Sequence, residues 1–248
     1  MELTLIDKLL LPFMATLGAS LTVILVQFIS RRVKETKQKI YAANYICDVS
    51  LRIIGSEFIL LRHTIQPHIE ATERIGNGDE ELLKKTFLAD EFDILTAGSP
   101  DYSHLPNEFT LQLGYDDIEL VQKFEMLLYL HKNEANRLSL NAFVKENLKS
   151  MESFLSKPEE KRSDILFTYY DYLHSLQHES NRIIFFIWSV IVPAMKNYLS
   201  SYQFWLYRTS QAKSILERIE GQVADNEDLM PPADFLEQVR TGGIQNEL

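Results

Sequence analysis

The stretch LLLPFMATLGASLTVILVQFISRR, residues 9–32, carries no charge before its last two positions. Leu9 to Ser30 supplies 22 uncharged residues, which as a helix would reach roughly 33 Å, enough for a bilayer hydrocarbon core about 30 Å thick. A cleaved signal peptide would want a basic amino end, a shorter apolar stretch and a small-residue cleavage site. Here Glu2 and Asp7 make the amino end acidic, and the exit is Arg31-Arg32. A retained transmembrane helix is therefore expected over 9–30.

The flanks set its orientation. Arg31, Arg32, Lys34, Lys37 and Lys39 stand against Glu35 alone, giving +4 over residues 31–39. Basic residues gather on the cytoplasmic side of a span, which places residues 31 onward in the cytoplasm and residues 1–8 outside. The same five cations are candidates for contact with lipid headgroups. At 100° per residue, Thr16, Ser20 and Gln27 share a narrow polar stripe, while Ala15, Gly18, Ala19 and Thr22 share a broader small-residue face. Small residues let helix backbones approach and polar groups seek partners in lipid, so both faces are candidates for self-association of the span.

The net charge of −10 leaves −13 on residues 40–248 once the basic segment and the −1 of residues 1–8 are set aside. So acidic a body repels phosphate backbones, which disfavours nucleic-acid binding. One cysteine, Cys47, cannot form an internal disulfide, in keeping with a reducing compartment.

Nine Gly and eight Pro are few for a β-rich chain of 248 residues, and no alternating strand pattern stands out. Cys47, Leu51, Ile54, Phe58, Leu61 and Ile65 form a heptad seam that Ile46, Ile53 and Leu60 widen, as for a helix packed on several sides. Pro67 is expected to end or kink that helix. Gly76-Asn77-Gly78 predicts a turn, and Asp79 an N-cap for a second helix over 79–96. The stretch 98–117, with Asp101, Tyr102 and His104, predicts a long connector. A third helical region is expected from Asp116 to Leu155, interrupted between Asn133 and Asn141, and a fourth after Pro158. In the fourth, only 13 uncharged residues separate Arg182 from Lys196, too few to span, so IIFFIWSVIVPAM predicts a buried core helix.

The expected fold class is all-α: one N-terminal transmembrane helix followed by a cytosolic helical bundle. The chain divides into an external tail (1–8), the span (9–30), a basic juxtamembrane segment (31–39), a cytosolic helical domain (40–220) and an acidic, loosely ordered tail (221–248).

No Cys pair, P-loop, GxSxG or GxGxxG occurs, so neither a catalytic motif nor a cofactor is expected. Asp171, His174 and His178 share one helical face and form the best metal candidate, although the opposite face of Ile165, Leu166, Tyr169, Leu173 and Leu176 makes them equally the wet side of an amphipathic helix. Arg62 and His68, with five residues between them, resemble the active-site pattern of HEPN helical ribonucleases, whose catalytic pair cleaves RNA without metal. Glu57, Glu70 and Glu73 nearby predict exposed helical charges.

The expectation that follows is a non-enzymatic, membrane-anchored helical sensor or interaction protein of the cytoplasmic membrane. Its partners would be the bilayer, further copies of itself, and a cytosolic protein with basic docking segments. A narrower version is a membrane-perturbing effector of toxin or phage-defence type. The alternative is a membrane-tethered ribonuclease using Arg62 and His68, or a metal hydrolase using Asp171, His174 and His178.

Overall fold

A computed structural model describes residues 5–76, 78, 79, 81, 82, 85, 117–132, 135–202, 206–231 and 235, with side chains omitted at 5–12, 15, 135–137 and 206–208. Every regular element among these residues is helical. Helix α1 runs Leu5–Leu60 and passes through a π-turn, Leu61–Ile65, into α2, Gln66–Gly76. After these come α3, Ile118–Lys132, α4, Ala135–Asn147, and the short α5, Met151–Leu155. Helix α6, Glu159–Phe186, continues through a second π-turn, Ile187–Ile191, into α7, Val192–Ser200. Helix α8, Leu206–Asp225, and a 3₁₀ turn, Glu227–Leu229, close the described chain.

Pro67 does not end its helix. In the π-turn before it, the Gln66 N–H bonds the carbonyl of Leu61, five residues back. The extra residue in that turn makes room for a pyrrolidine ring that would clash with the carbonyl four residues earlier in a regular helix. Pro193 repeats the device: the Val192 N–H bonds the Ile187 carbonyl, again five residues back. Two proline-containing sequences thus become long, nearly continuous helices, α1–α2 and α6–α7.

These two helices carry the core. The whole seam from Cys47 to Ile65 is buried, together with Ile46 and Ile53, and Leu60 packs against its edge. α8 lies along α1, while α2, α3 and α4 pack on α6. Gly55 permits the close pass of α8, since a Cβ there would sit 3.2 Å from Gln222 Nε2. Ile183, Ile184, Ile187, Ile191, Met195 and Leu199 fill the centre from α6–α7, as expected of a core helix.

Two local expectations change. Residues 135–147 are helical, so the interruption placed at 133–141 does not extend that far. The chain breaks instead at Leu148–Ser150, where the Ser150 hydroxyl caps α5 by accepting the Ser153 N–H. Residues 221–225 belong to α8, and Leu229 and Phe235 are buried, so these positions are held against the body despite the acidic composition around them. Asp79 does cap, with Oδ1 accepting the Leu82 N–H at 2.9 Å, and Gly78 turns with φ +95°. Most of the helix expected over 79–96, the connector with Asp101, Tyr102 and His104, and most of the last 17 residues lie outside the described residues.

Candidate functional site

Among the described residues two helices are long and apolar enough to cross a membrane, and they differ in what surrounds them. The most apolar 18-residue window of α6–α7 is 39% buried inside the protein, whereas that of α1 is not buried at all. In α1, Leu21, Ile24, Leu25, Val26 and Phe28 all stand exposed. Thr16, Gly18, Ala19, Ser20, Thr22 and Gln27 are exposed on the same segment, and no atom comes within 4 Å of a Cβ built on Gly18. Thr22 donates its hydroxyl back to the Gly18 carbonyl at 2.8 Å, which satisfies a polar group that would otherwise be costly in lipid. Ala15 lies on the same helix.

The basic segment is not uniform. Arg31 pairs with Glu35 one turn on at 2.9 Å, Arg32 lies 5.6 Å over the Phe28 ring, and Lys34 and Lys37 are exposed. Lys39, expected at the headgroups, is instead mostly covered and bonds Asp117 at 2.9 Å, immediately before α3. Among the described side chains of α1, Ile40 is the first that is buried. The helix thus passes from bare to enclosed within about three turns.

Deeper in α1 sits a residue the sequence placed on the surface. Glu57 is 1% exposed, and it meets Ser180 of α6, 2% exposed, and His131 of α3, 7% exposed. Ser180 Oγ donates to Glu57 Oε2 at 2.7 Å, and His131 Nδ1 lies 3.4 Å from Glu57 Oε1. A carboxyl in such a place costs several kcal/mol unless its oxygens are met. Two helices each contribute one polar group to meet that need, Ser180 from α6 and His131 from α3. The order is wrong for acyl transfer, because a serine nucleophile needs the imidazole between it and the carboxylate. Here the carboxylate is in the middle and nothing reaches it from solvent. The trio is a buried polar knot joining α1, α3 and α6.

Arg62 and His68 are each engaged by different partners. Arg62 reaches Asn226 Oδ1 at 3.2 Å and Asp228 Oδ1 at 2.8 Å, fastening the segment after α8. His68 Nδ1 lies 2.9 Å from the Tyr169 hydroxyl of α6. Burial lowers the His68 pKa to about 4 and raises that of Tyr169, so a phenol donating to a neutral imidazole fits both. One turn further along, Glu73 accepts the Tyr170 hydroxyl at 2.9 Å. Glu70 and Glu73 are exposed, as expected.

Asp171, His174 and His178 share a helix but not a site. Asp171 is exposed, the His174 ring stacks edge-on against Tyr170 at 4.3 Å, and the His178 ring lies 5.3 Å from that of Phe235. Among the described residues no group of three or more His, Cys, Asp and Glu is arranged to hold a metal ion.

Comparison with known protein families, with curated proteins and with solved structures finds no match.

The feature missed from the sequence is the Glu57 knot, and a signal for it exists. Glu57 follows Ile53 and Ile54 and precedes Leu61 at steps of three and four, so it falls inside the seam. His131 likewise follows Phe124, Leu127 and Leu128, and Ser180 lies between Leu176 and Ile183–Ile184. Each is a polar residue on its helix's own apolar face.

Proposed function

We propose that this protein is a single-pass component of the cytoplasmic membrane, with its amino end outside and a helical bundle in the cytoplasm that binds a protein partner and transmits that event to the span. The bare apolar face of α1 carries the proposal. A run of large side chains from Phe13 to Ile29 with nothing packed on it demands lipid or other apolar cover. Orientation follows from the cations at its carboxyl end.

The continuity of α1 supports transmission. Its exposed half and its core half are one helix of 56 residues, roughly 84 Å long. Lys39–Asp117 and the Glu57 knot fix that helix against α3 and α6. A partner that shifts those helices must therefore turn or tilt the span. Self-association is the accompanying proposal: the small face of Gly18, Ala19 and Thr22 is free for a second copy, and clustering spans is one way such a protein would perturb a bilayer. The enzymatic alternatives find no assembled residue set in Arg62 and His68 or in Asp171, His174 and His178.

The mass of the complex solubilised in mild detergent, with identification of what co-purifies, tests this. A defined homo-oligomer or a stoichiometric protein companion is the expected result. A monomer with neither would overturn the proposed role.

A further inference from the structure

Beyond α8 the chain stays on the bundle by few attachments. Arg62 holds Asn226 and Asp228, Leu229 enters the core, and Met230 packs half-buried against it. Phe235 is 4% exposed, its ring 5.3 Å from that of His178 and 6.0 Å from that of Phe185, both on α6. Among the described residues the backbone bonds of this segment are local: the Asn226 N–H to the Val223 carbonyl, the Leu229 N–H to that of Asn226 and the Met230 N–H to that of Glu227. The Arg62–Asp228 pair is exposed on both sides and so weak. A segment held by apolar anchors and one wet ion pair opens more readily than the helices beneath it.

The charge of the segment and of what it covers are opposite. Residues 226–239, NEDLMPPADFLEQV, hold Glu227, Asp228, Asp234 and Glu237 and no Lys or Arg. Under them, Arg62 comes from the π-turn of α1, and on α6 Arg182 follows His178 by four residues and precedes Phe185 by three, on the same helical face. The acidic body as a whole favours basic partners; this face is a local exception, part basic and part aromatic. Its fit is to an acidic segment with bulky apolar side chains, and such a segment lies on it.

We infer that the segment from Asn226 to Phe235 is a releasable strap, and that the face it covers, Arg62 with His178, Arg182 and Phe185, is the docking surface for an acidic segment of a partner protein. The partner carries two apolar anchors at about the spacing of Leu229 and Phe235, and it binds by replacing them. The covered state is then self-inhibited, since a partner gains the surface only in the fraction of molecules whose strap is open. This inference rests on the reading that the bundle binds a protein, and it names where and with what chemistry.

The test is fluorescence anisotropy of a fluorescein-labelled peptide, NEDLMPPADFLEQV, titrated with the full chain in nanodiscs. Saturable binding is expected to the chain carrying Leu229→Ser with Phe235→Ser, and at least about tenfold weaker binding to the unaltered chain, whose own strap competes. A peptide with the same two serines should lose saturable binding, and one with its four acids changed to amides should bind severalfold more weakly at low salt. Hydrogen exchange on the unaltered chain keeps the test open if the double variant fails to fold: the Leu229 and Met230 amides should show protection at least about tenfold lower than those of Ile53 and Ile54. No saturable binding, equal affinity for the native and serine peptides or for the acidic and amide peptides, or equal protection of strap and core would overturn the inference. So would a dimer in detergent whose mass halves with the two serines, since that assigns the surface to a second copy. The peptide assay uses no partner, so its failure would leave the co-purification result standing.

Discussion

The two halves of α1 are one helix with two surroundings, one half bare and the other enclosed by helices. From Phe13 to Ile29 its large apolar side chains stand exposed with no other helix covering them; from Ile40 to Leu60 it is apolar on its inner faces, and other helices cover these. Composition alone would call both halves hydrophobic. What separates them is where the polar residues fall. In the upper half, Thr16, Ser20, Thr22 and Gln27 are all uncharged. In the lower half, Asp48, Arg52 and Ser56 mark an outer face, and Glu57 is set among the inner apolar residues with partners waiting on α3 and α6. A helix that lipid surrounds needs no wet face, while one among other helices needs one and can also hold a single buried charge if it is met.

The largest effect should come from charging the upper half. Leu17→Asp with Leu21→Asp places two carboxylates near the middle of the span, at about 3 kcal/mol each on insertion scales. The chain should then leave the membrane pellet on alkaline carbonate extraction. Ile59→Asp in the lower half, at a side chain 64% exposed in the structure, should leave it there.

Next in size is the knot. Glu57→Ala strands Ser180 and His131 in the core and should lower stability by about 4 kcal/mol, seen as a large fall in melting temperature of the nanodisc-held chain. Replacing all three with apolar groups, as Glu57→Leu, His131→Leu and Ser180→Ala, should recover most of that loss. If the knot fixes the position of α1 rather than supplying stability, the triple variant will melt normally and still lose partner-dependent behaviour.

The protein's dependence on acid separates the two halves again, because no titratable group lies between Leu9 and Ser30. His68 titrates near 6.5 when unfolded but only near 4 when folded, because burial resists its charge. Between those values the unfolded chain binds the proton and the folded chain does not. Stability should therefore be full above about pH 6.5 and fall as the pH drops toward 4, by about 3 kcal/mol. His68→Gln, which keeps an acceptor for Tyr169, should flatten that slope in equilibrium denaturation at a series of pH values. The smallest effect belongs to Arg62→Ala. Its ion pair with Asp228 is 41% and 63% exposed at the two side chains, and such pairs contribute under about 1 kcal/mol.

Much of this was legible in the sequence, and the failures share a cause. The heptad seam from Cys47 to Ile65 and the core character of Ile183–Met195 follow from helical spacing, and the structure buries both. The turn at Gly76–Gly78 and the cap at Asp79 follow from local chemistry. Pro67 was misjudged because its effect depends on the turn before it, and a π-turn is a choice among neighbouring hydrogen bonds that leaves no residue signature. Glu57 and Lys39 were misjudged because charged residues usually face water, and only their partners on α3, α6 and at Asp117 reverse that. Arg62, His68, Asp171, His174 and His178 were grouped by spacing along single helices. Their actual partners, Asp228, Tyr169, Tyr170 and Phe235, come from elsewhere in the chain or from the unremarked face of the same helix. Spacing finds faces; it does not say what faces them.

The central claim is that lipid, and not protein, covers the upper half of α1. Cys47 provides a silent background, since it is buried and its thiol pKa is pushed up to about 12. Single cysteines at Met14, Leu21, Phe28, Lys34, Tyr41 and Ile59 all replace side chains exposed in the structure, so the protein itself shields none of them. Labelled in intact inverted vesicles with a membrane-impermeant maleimide, positions 34, 41 and 59 should react rapidly. Positions 14, 21 and 28 should react only after the bilayer is dissolved and the chain denatured. Equal labelling at all six positions in intact vesicles would contradict the account.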